Sequence, residues 1–236
     1  MTEPIDLERP LGALVRENPA FARVFESVGL DFCCGGDRTL RTACTEADLD
    51  LDAVREQLYE ARRQSGDSGD KWKSMTALIE HVVDSHHQYL CEELSALKQL
   101  AEEVRSVHVE EHSELADIEQ EVLELAEEMR QHTTEEEQDV FPIIEKLDRG
   151  TELTDEERAV LDEALADLES DHEATAEHLE RIAELSDGYA VPDDACPSYQ
   201  SLLERLETLE QDTHMHVHKE NNVLFPQVES QLAGQA

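Results

Sequence analysis

Two stretches of the chain share one spacing: residues 132–142 read HTTEEEQDVFP, and residues 216–226 read HVHKENNVLFP. Both follow the pattern His-x3-Glu-x4-Phe-Pro. On an α-helix, residues four apart lie about one turn apart on the same face. His132 with Glu136, and His216 with Glu220, can therefore each present a nitrogen and a carboxylate to one metal centre. The doubled pair predicts a two-metal site carried by helices.

The apolar residues around these motifs recur at alternating steps of three and four, which is typical of helices that share a core. They predict four long helices, near residues 74–105, 110–148, 155–186 and 197–231. Thr154 and Glu157 fit a capping box at the start of the third helix, and Pro192 and Pro197 mark a break before the fourth. Long helices with short connections predict an all-α fold built on an antiparallel four-helix bundle.

Each predicted helix carries one histidine on its apolar stripe. In chain order these are His87, His132, His172 and His216. All four fall about midway along their helices, so they can reach one level of the bundle. A single histidine on such a stripe is more often a hydrogen-bonded core residue. Six polar groups at one level, Glu136 and Glu220 included, predict metal binding, because burying uncompensated carboxylates costs several kcal/mol each.

The stripes also make finer predictions. The first runs through Ile79, Val83, His87 and Leu90, and the second through His132, Glu136, Val140 and Ile143. The third runs through Leu161, Leu165, Leu168, His172, Thr175, Leu179 and Ile182. The stripe favours His87 over its neighbour His86 as the inward ring. Several histidines fall off the stripes, which predicts positions at the surface or behind the ligands: His86, His178, His214 and His218.

The donor set indicates the class of metal. Four imidazoles and two carboxylates suit two iron ions, with the glutamates bridging and a position left for oxygen, nitric oxide or another small ligand. Zinc or manganese could use the same ligands. A structural zinc site normally closes with four ligands, so six donors favour a dinuclear reactive centre.

A polar stretch divides the bundle from a shorter module. Residues 64–70, QSGDSGD, have no apolar anchor and predict a linker. The predicted organisation is a small helical domain at 1–65, a linker at 66–71 and the bundle at 72–236. Within the small domain, the sequence predicts helices over 10–16, 20–28 and 47–63.

The small domain contains Asp31-Phe-Cys33-Cys34-Gly35-Gly36. Adjacent Cα atoms lie about 3.8 Å apart, shorter than the usual disulfide separation, so a stable bridge between these thiols would be strained. Metal handling or redox chemistry suits them better. The alternative is a Gly-Gly turn beside two small buried side chains, and the motif alone leaves both readings open. Cys44, Cys91 and Cys196 are isolated and are predicted to be packing residues.

Composition restricts the partners. The net charge of −39 disfavours nucleic acid and anionic membrane surfaces, which would repel the chain. The acids are spread along a chain with few lysines, which favours adaptation to high salt over an acidic binding tail. No apolar run approaches a membrane span, and the first ten residues lack the features of a signal peptide. Together with five cysteines, these features predict a cytoplasmic protein.

The two regions together resemble a known family. The small domain carries Leu11-Gly12 and then Val28-Gly-Leu-Asp-Phe-Cys-Cys-Gly-Gly36, and the bundle ends with His216-x3-Glu-Asn-Asn-Val-Leu-Phe-Pro226. This combination resembles the repair of iron centres (RIC) family of di-iron proteins, which act on iron-sulfur clusters damaged by nitric oxide or oxidants. The resemblance covers nearly the whole chain.

The resemblance implies a hemerythrin-like bundle that binds two bridged non-haem iron ions. The terminal ligands would be His87, His132, His172 and His216, and the bridges Glu136 and Glu220. Cys33 and Cys34 match the family's double-cysteine motif and are candidates for a catalytic role in repair. Extra histidines would supply alternative iron contacts, namely His86, His214 and His218.

The implied function is a stress-response protein that restores damaged clusters by iron donation, nitric oxide removal or both. Its partners would be damaged iron-sulfur proteins, with nitric oxide or oxygen as small ligands, and a homodimer is compatible with this reading. Whether it also performs nitric oxide reductase-like chemistry is open. One alternative is a hemerythrin-like carrier or sensor of oxygen or nitric oxide, which would need only the bundle. Another is an acidic interaction protein with a structural metal.

Overall fold

The computed structural model describes residues 4–65 and 72–234. These residues form helices and no β-strand, which confirms the all-α prediction. The predicted linker at 66–71 lies outside the described residues. Contacts divide the chain into one unit of residues 1–75 with 217–236 and a second unit of residues 76–216. The domain boundaries predicted from sequence remain a prediction.

Four short helices precede four long helical stretches. The short helices are α1 (Leu11–Glu17), α2 (Phe21–Ser27), α3 (Leu40–Glu46) and α4 (Leu51–Ser65). The long stretches are α5 (Met75–His81), π1 (Val82–His87) and α6 (Gln88–His108); α7 (Glu114–Glu135), π2 (Glu136–Val140) and α8 (Phe141–Asp148); α9 (Asp155–Leu185); and α10 (Pro197–Lys219), π3 (Glu220–Leu224) and α11 (Phe225–Ala233). The π segments are wide turns within otherwise continuous helices. The sequence prediction found the four long helices and missed α3.

Side-chain pairs within residues 76–216 establish the helix directions. Glu93 pairs with Arg205 at 2.6 Å, and ten residues later Glu103 bonds Ser198. Partner numbers therefore fall on α10 as they rise on α6. The same inverse order relates α7 to α9, where His178 bonds Glu121 and Asp171 approaches His132. Neighbouring helices are antiparallel, as predicted.

Helix α9 shows how the sequence specifies its own element. Thr154 caps its start: the Thr154 hydroxyl accepts from the Glu157 N–H at 3.2 Å, and the Glu157 carboxylate accepts from the Thr154 N–H at 2.9 Å. This confirms the predicted capping box, which satisfies two backbone donors. The buried residues of α9 are those of its predicted stripe: Leu161, Leu165, Leu168, His172, Thr175, Leu179 and Ile182.

The π segments change the register of two other stripes. Val83 and Ile143, predicted to be buried, are only half-buried. Val82 and Ile144 are fully buried in their place. A π turn holds more residues than the 3.6 of an α turn, so a stripe counted at α spacing is displaced across it. The predictions for Val83 and Ile143 were therefore wrong for a local geometric reason.

The unit of residues 1–75 and 217–236 has its own apolar core. Phe21, Phe25 and Phe32 are almost fully buried, and the rings of Phe25 and Phe32 lie 6.2 Å apart. Gly29 ends α2 with a φ of 69°, a conformation that costs glycine little. The Leu30 N–H then donates to the Phe25 carbonyl at 2.9 Å and turns the chain toward the double-cysteine loop.

Among the described residues, no helix combines the length and the apolar character that crossing a membrane requires.

Candidate metal centre

Four histidine side chains, one from each long helical stretch, meet in two pairs. His87 Nε2 lies 3.1 Å from His216 Nε2, and His172 Nε2 lies 3.0 Å from His132 Nε2. No ring is more than 4% exposed. The structure thus brings together the four histidines that the apolar stripes select.

Glu136 lies between the two pairs and is fully buried. Its Oε2 atom is 3.3 Å from His87 Nε2 and 3.3 Å from His132 Nε2. One ligand atom from each of His87, Glu136 and His216 lies within 4.8 Å of the others, and the same holds for His132, Glu136 and His172. The Glu136 carboxylate is therefore common to both histidine pairs.

These distances can be tested against metal coordination. Two donors bound at right angles to one ion, with bonds of about 2.1 Å, lie about 3 Å apart. The nitrogen separations of 3.0 and 3.1 Å agree with this value. One carboxylate oxygen, Oε2 of Glu136, lies near both pairs. Imidazole and carboxylate donors suit iron among the transition metals, so the residues fit metal binding of this class.

Carboxylates behind the rings orient two of these histidines. Glu137 Oε1 lies 2.8 Å from His87 Nδ1, and Asp171 Oδ2 lies 3.5 Å from His132 Nδ1. A carboxylate at Nδ1 favours the tautomer with its proton there, which leaves the Nε2 lone pair directed into the site. The two outer acids thus leave Nε2 of His87 and of His132 available as a donor atom.

His86 supports the ring of His216. Its Nδ1 atom lies 3.0 Å from both carboxylate oxygens of Asp212, and its ring stacks on that of His216 at 5.7 Å and 13°. His86 is 5% exposed. The sequence predicted His86 either at the surface or behind the ligands. The surface position is wrong, and His86 lies behind the ring of the proposed ligand His216. The π turn causes this, because it turns both members of the His86–His87 pair inward.

Glu220 is also fully buried. It is the first residue of π3 and follows His216 by one turn of a helix that runs from α10 into π3 without interruption. Its carboxylate is therefore on the face of the helix that carries His216. The other long stretch with this motif, α7 into π2, places Glu136 one turn after His132 in the same way.

An open cavity of about 560 Å³ lies between α6 and α7. His87 and Met129 form part of its wall near the histidine pairs, and Glu137, which bonds His87, lines it as well. Arg130 and Lys98 bring positive charge to its lining. The cavity offers space for a small molecule beside His87.

Comparison with known proteins agrees with this geometry. The profile of the hemerythrin HHE cation binding domain matches residues 78–228. A second profile, ScdA_N, described as a domain of unknown function (DUF542), matches residues 7–62. The iron-sulfur cluster repair protein YtfE of Enterobacter sp. strain 638 is 31% identical over 228 residues, which cover 97% of this chain and 98% of that protein. This chain belongs to the family of iron-sulfur cluster repair proteins.

Other family members show similar agreement. The iron-sulfur cluster repair protein ScdA of Staphylococcus haemolyticus strain JCSC1435 is 29% identical over 219 residues, covering 92% of this chain and 96% of the relative. YtfE of Yersinia pseudotuberculosis serotype IB strain PB1/+ is 32% identical over 218 residues, covering 92% and 94%. The family resemblance seen in the sequence motifs is thus confirmed over both regions.

The double-cysteine loop of this family member is organised by Asp31. Its carboxylate accepts the backbone N–H groups of Cys33 and Cys34 at 3.0 Å and of Gly35 at 2.6 Å. Cys33 is 4% exposed, whereas Cys34 is half-buried. A hydrogen bond with Cys34, and then burial, raise the pKa of Cys33 well above its ordinary value. Cys33 is therefore a protonated thiol at neutral pH, and Cys34 is the more accessible sulfur.

Ligand atoms of Asp31, Cys33 and Cys34 lie within 4.8 Å of one another, so the loop could hold a cation. Among the isolated cysteines, Cys44 is buried as predicted, but Cys91 is exposed, and the prediction that it packs was wrong. Cys196 is half-buried, with its sulfur 3.2 Å from His108 Nε2.

The remaining off-stripe histidines occupy three environments. His178 and His214 are half-buried, and His178 bonds Glu121 at 2.7 Å. His218 is only 1% exposed, so a surface position was wrong for it. Burial, and then the charge of Lys219, lower the pKa of His218 to about 4. This ring is neutral at physiological pH.

Sequence reasoning missed the residues that support the site. Glu137, Asp171 and Asp212 looked like surface acids in a chain with 58 acidic residues, so composition hid them. Their positions contained a usable signal: Glu137 follows Glu136, and Asp171 precedes His172. An acid adjacent to a predicted ligand is a candidate for orienting one of the neighbouring rings.

Proposed function

We propose that this family member is a di-iron protein that repairs iron-sulfur clusters damaged by nitrosative or oxidative stress. The observation that carries the proposal is the pair of histidine groups that share one buried carboxylate oxygen of Glu136. Two groups with a common oxygen are suited to two ions, whereas one closed zinc site would need only four donors. The proposed terminal ligands are His87, His132, His172 and His216.

Glu220 is the proposed second bridge. Its burial and its place one turn after His216 support this role. Buried carboxylates are costly to desolvate, and two divalent cations would supply a compensating positive charge.

The chain's own residues would hold the irons and control their loss. Glu137 and Asp171 would keep two imidazoles in the donor tautomer, and His86 would brace His216. When bound, two iron ions supply redox-active centres that can bind nitric oxide or oxygen. The net charge of −39 would favour the return of iron cations to the protein and repel anionic competitors.

The double-cysteine loop is the proposed contact for a damaged cluster. Thiolates are the usual ligands of iron in such clusters, so the accessible Cys34 offers a chemically matched group for exchange of iron. Cys33 would provide a second sulfur beside it. The damaged iron-sulfur protein is then the partner, and iron donated to it is the material transferred.

A second candidate function is binding or sensing of oxygen or nitric oxide without repair. The cavity beside His87 favours this candidate, since it gives a small molecule space next to the proposed centre. The two functions are compatible, because removal of nitric oxide at the irons would also protect clusters.

Iron content, absorption spectra and a repair assay together test the proposal. Purified protein should hold two irons per chain, and nitric oxide should change its spectrum. It should also restore activity to a cluster enzyme inactivated by nitric oxide. Glu136→Ala should lose most of the iron, while His178→Ala, which changes a histidine away from the pairs, should keep it. Full iron in Glu136→Ala would refute the centre, and normal iron without any restored activity would leave only the sensing function.

The cysteines are tested in the same assay. Cys33→Ser with Cys34→Ser should keep the iron spectrum, because neither sulfur belongs to the histidine groups, and should slow recovery of the damaged enzyme. Recovery at the wild-type rate would show that the two thiols only pack.

A further inference from the structure

The segment that carries Glu220 also carries an amide bound to the double-cysteine loop. Asn222 Nδ2 donates to the Cys33 carbonyl at 2.8 Å and reaches the Phe32 carbonyl at 3.4 Å. Asn222 lies two residues after Glu220 within π3. One side chain therefore connects the backbone next to the thiols to the segment that begins with the proposed bridge.

Two glycines make room for this amide. A Cβ atom at Gly12 would lie 2.1 Å from Asn222 Oδ1, and one at Gly36 would lie 2.4 Å from it. The Gly12 N–H donates to the Gly36 carbonyl at 2.8 Å, which holds the two glycines together. The Leu11-Gly12 and Cys-Cys-Gly-Gly motifs thus meet at Asn222, and a side chain at either glycine would displace it.

A second contact to the loop is made by a residue that precedes Glu220. His218 lies two residues before it, and its ring meets the ring of Phe32 edge to face at 5.7 Å. His218 and Asn222 both contact the Phe32–Cys33 segment. Glu220 is therefore held between two residues that are anchored on the same loop.

The loop has little freedom to absorb a change at its sulfurs. Asp31 fixes three successive N–H groups, at Cys33, Cys34 and Gly35. Arg38 Nε also donates to the Gly35 carbonyl at 3.2 Å. A metal ion or a bulky adduct on Cys34 must move the backbone around it, and the Cys33 carbonyl is the acceptor of the Asn222 bond.

We propose that Asn222 is a positioning residue that couples the chemical state of the Cys33–Cys34 loop to Glu220, and through Glu220 to retention of iron. The inference rests on the proposed function, because Glu220 matters here as an iron ligand. An adduct or cation at Cys34 moves the Asn222 side chain and displaces the Glu220 carboxylate. The protein then releases iron faster. Residues that orient metal ligands typically change metal affinity by about 10–100-fold, which sets the expected scale.

The test measures iron release to a chelator before and after alkylation of Cys34 with iodoacetamide. The alkylation forms a sulfur–carbon bond, iodide leaves, and the thiol proton passes to the buffer. Cys91→Ser and Cys196→Ser form the background, so that the reagent acts at the loop rather than at the exposed or half-buried cysteines. In this background, alkylation should accelerate iron release about 10-fold or more. Adding Cys34→Ser should abolish the acceleration.

Three variants identify Asn222 as the link. Asn222→Asp preserves the shape but removes the Nδ2 donor, and Asn222→Ala removes the group. In each of these two variants, the alkylated protein should release iron at the same rate as the unmodified protein. Asn221→Ala removes the same side chain one residue earlier, leaves the bond to Cys33 in place, and should keep the acceleration. Melting curves confirm that each variant is folded, and Asn222→Asp serves if Asn222→Ala does not fold.

A second readout does not involve iron. In metal-depleted protein, Asn222→Asp should increase the reaction rate of Cys34 with a chromogenic disulfide, because the loop has lost its anchor, whereas Asn221→Ala should not. Equal iron release from alkylated and unmodified protein, with two irons bound, would overturn the coupling and leave the proposed function intact. Acceleration that persists in both Asn222 variants would overturn the role of Asn222. Absence of iron from the wild-type protein would refute the proposed function, and the coupling with it.

Discussion

Replacing Glu136 with leucine should change stability in opposite directions with and without iron. The carboxylate of Glu136 is fully buried, with its Oε2 atom 3.3 Å from two imidazole nitrogens. Removing this charge from water costs free energy, which contacts inside a metal-free site offset only in part. Leucine fills a similar volume without that cost. In the loaded protein, the same change removes a shared ligand.

The expected magnitudes follow from these contacts. Replacement of a buried ion pair by well-packed apolar residues is often stabilising by about 1–4 kcal/mol, and replacement of one buried carboxylate should give the lower part of this range. For a chain of this length, each kcal/mol shifts the melting temperature by roughly 2–4 °C. Metal-free Glu136→Leu should therefore melt several degrees above the metal-free wild type. Iron at about 100 times its dissociation constant should add about 2.7 kcal/mol to the wild type. It should add little to the variant.

The assay is a set of four melting curves at pH 8 in fixed molar salt: wild type and Glu136→Leu, each with a chelator or with anaerobic iron(II). The order of melting temperatures should differ between the two conditions. Glu135→Leu is the matched control, since Glu135 is exposed and its loss changes the charge equally. It should shift stability by less than about 0.5 kcal/mol in both. A metal-free Glu136→Leu protein that melts below the wild type would refute the argument that this carboxylate strains the empty site.

Three further outcomes are expected. In titrations with iron(II), His87→Ala should bind fewer than two irons per chain, whereas His86→Ala should still bind two, with an affinity lowered about 10–100-fold. An equal loss of bound iron in the two variants would make His86 a ligand. The melting temperature should rise as salt increases toward 1 M, where the Debye length falls to about 3 Å, and a flat profile would contradict salt adaptation. Burial opposes protonation of His178, but the hydrogen bond to Glu121 and the charge of Glu128 raise its pKa. The ion pair of His178 stabilises the fold below about pH 6.5, and this contribution is lost as the pH rises through the raised pKa. His178→Gln should therefore lower stability at pH 6 and change it little at pH 9. An equal loss of stability at both pH values would contradict the ion pair.

The sequence predicted most where the helices are regular. Helix α9 is a single α-helix, and all seven residues of its predicted stripe are buried. The four histidines were found because an inward polar residue breaks an otherwise apolar period. Helix α3 was missed because it has only seven residues, too few for a periodic pattern. Its main local signal is the cap, where the Thr39 hydroxyl accepts from the Thr42 N–H.

The sequence failed where a local pattern could not reveal a long-range contact. Nothing near Asn222 indicates that its amide reaches the Cys33 carbonyl, which is 189 positions away in the chain. The burial of Gly12 and Gly36 beside it depends on the same contact. Cys91 looked like a packing residue by type, but the helix directs it to the surface.

The π segments explain both the failures of register and the form of the repeated motif. Pro142 and Pro226 lack the N–H that would bond the carbonyls of Gln138 and Asn222, so the α-helical ladder is interrupted within π2 and π3. Each wide turn then buries adjacent side chains: Val140 with Phe141 in the first copy, and Val223 with Leu224 and Phe225 in the second.

Phe141 uses its extra inward position to stack on the ring of His87 at 5.7 Å and 18°. An unbroken α-helix at this point would rotate Phe141 or Glu136 away from the core, because 3.6 residues per turn cannot direct residues 136, 140 and 141 to one side with equal depth. Each part of His-x3-Glu-x4-Phe-Pro thus has a physical role in the first copy: two proposed metal donors, a proline that widens the turn, and an aromatic ring that covers a neighbouring imidazole. The first long stretch forms π1 without a proline, and there the second inward residue is His86, which braces His216.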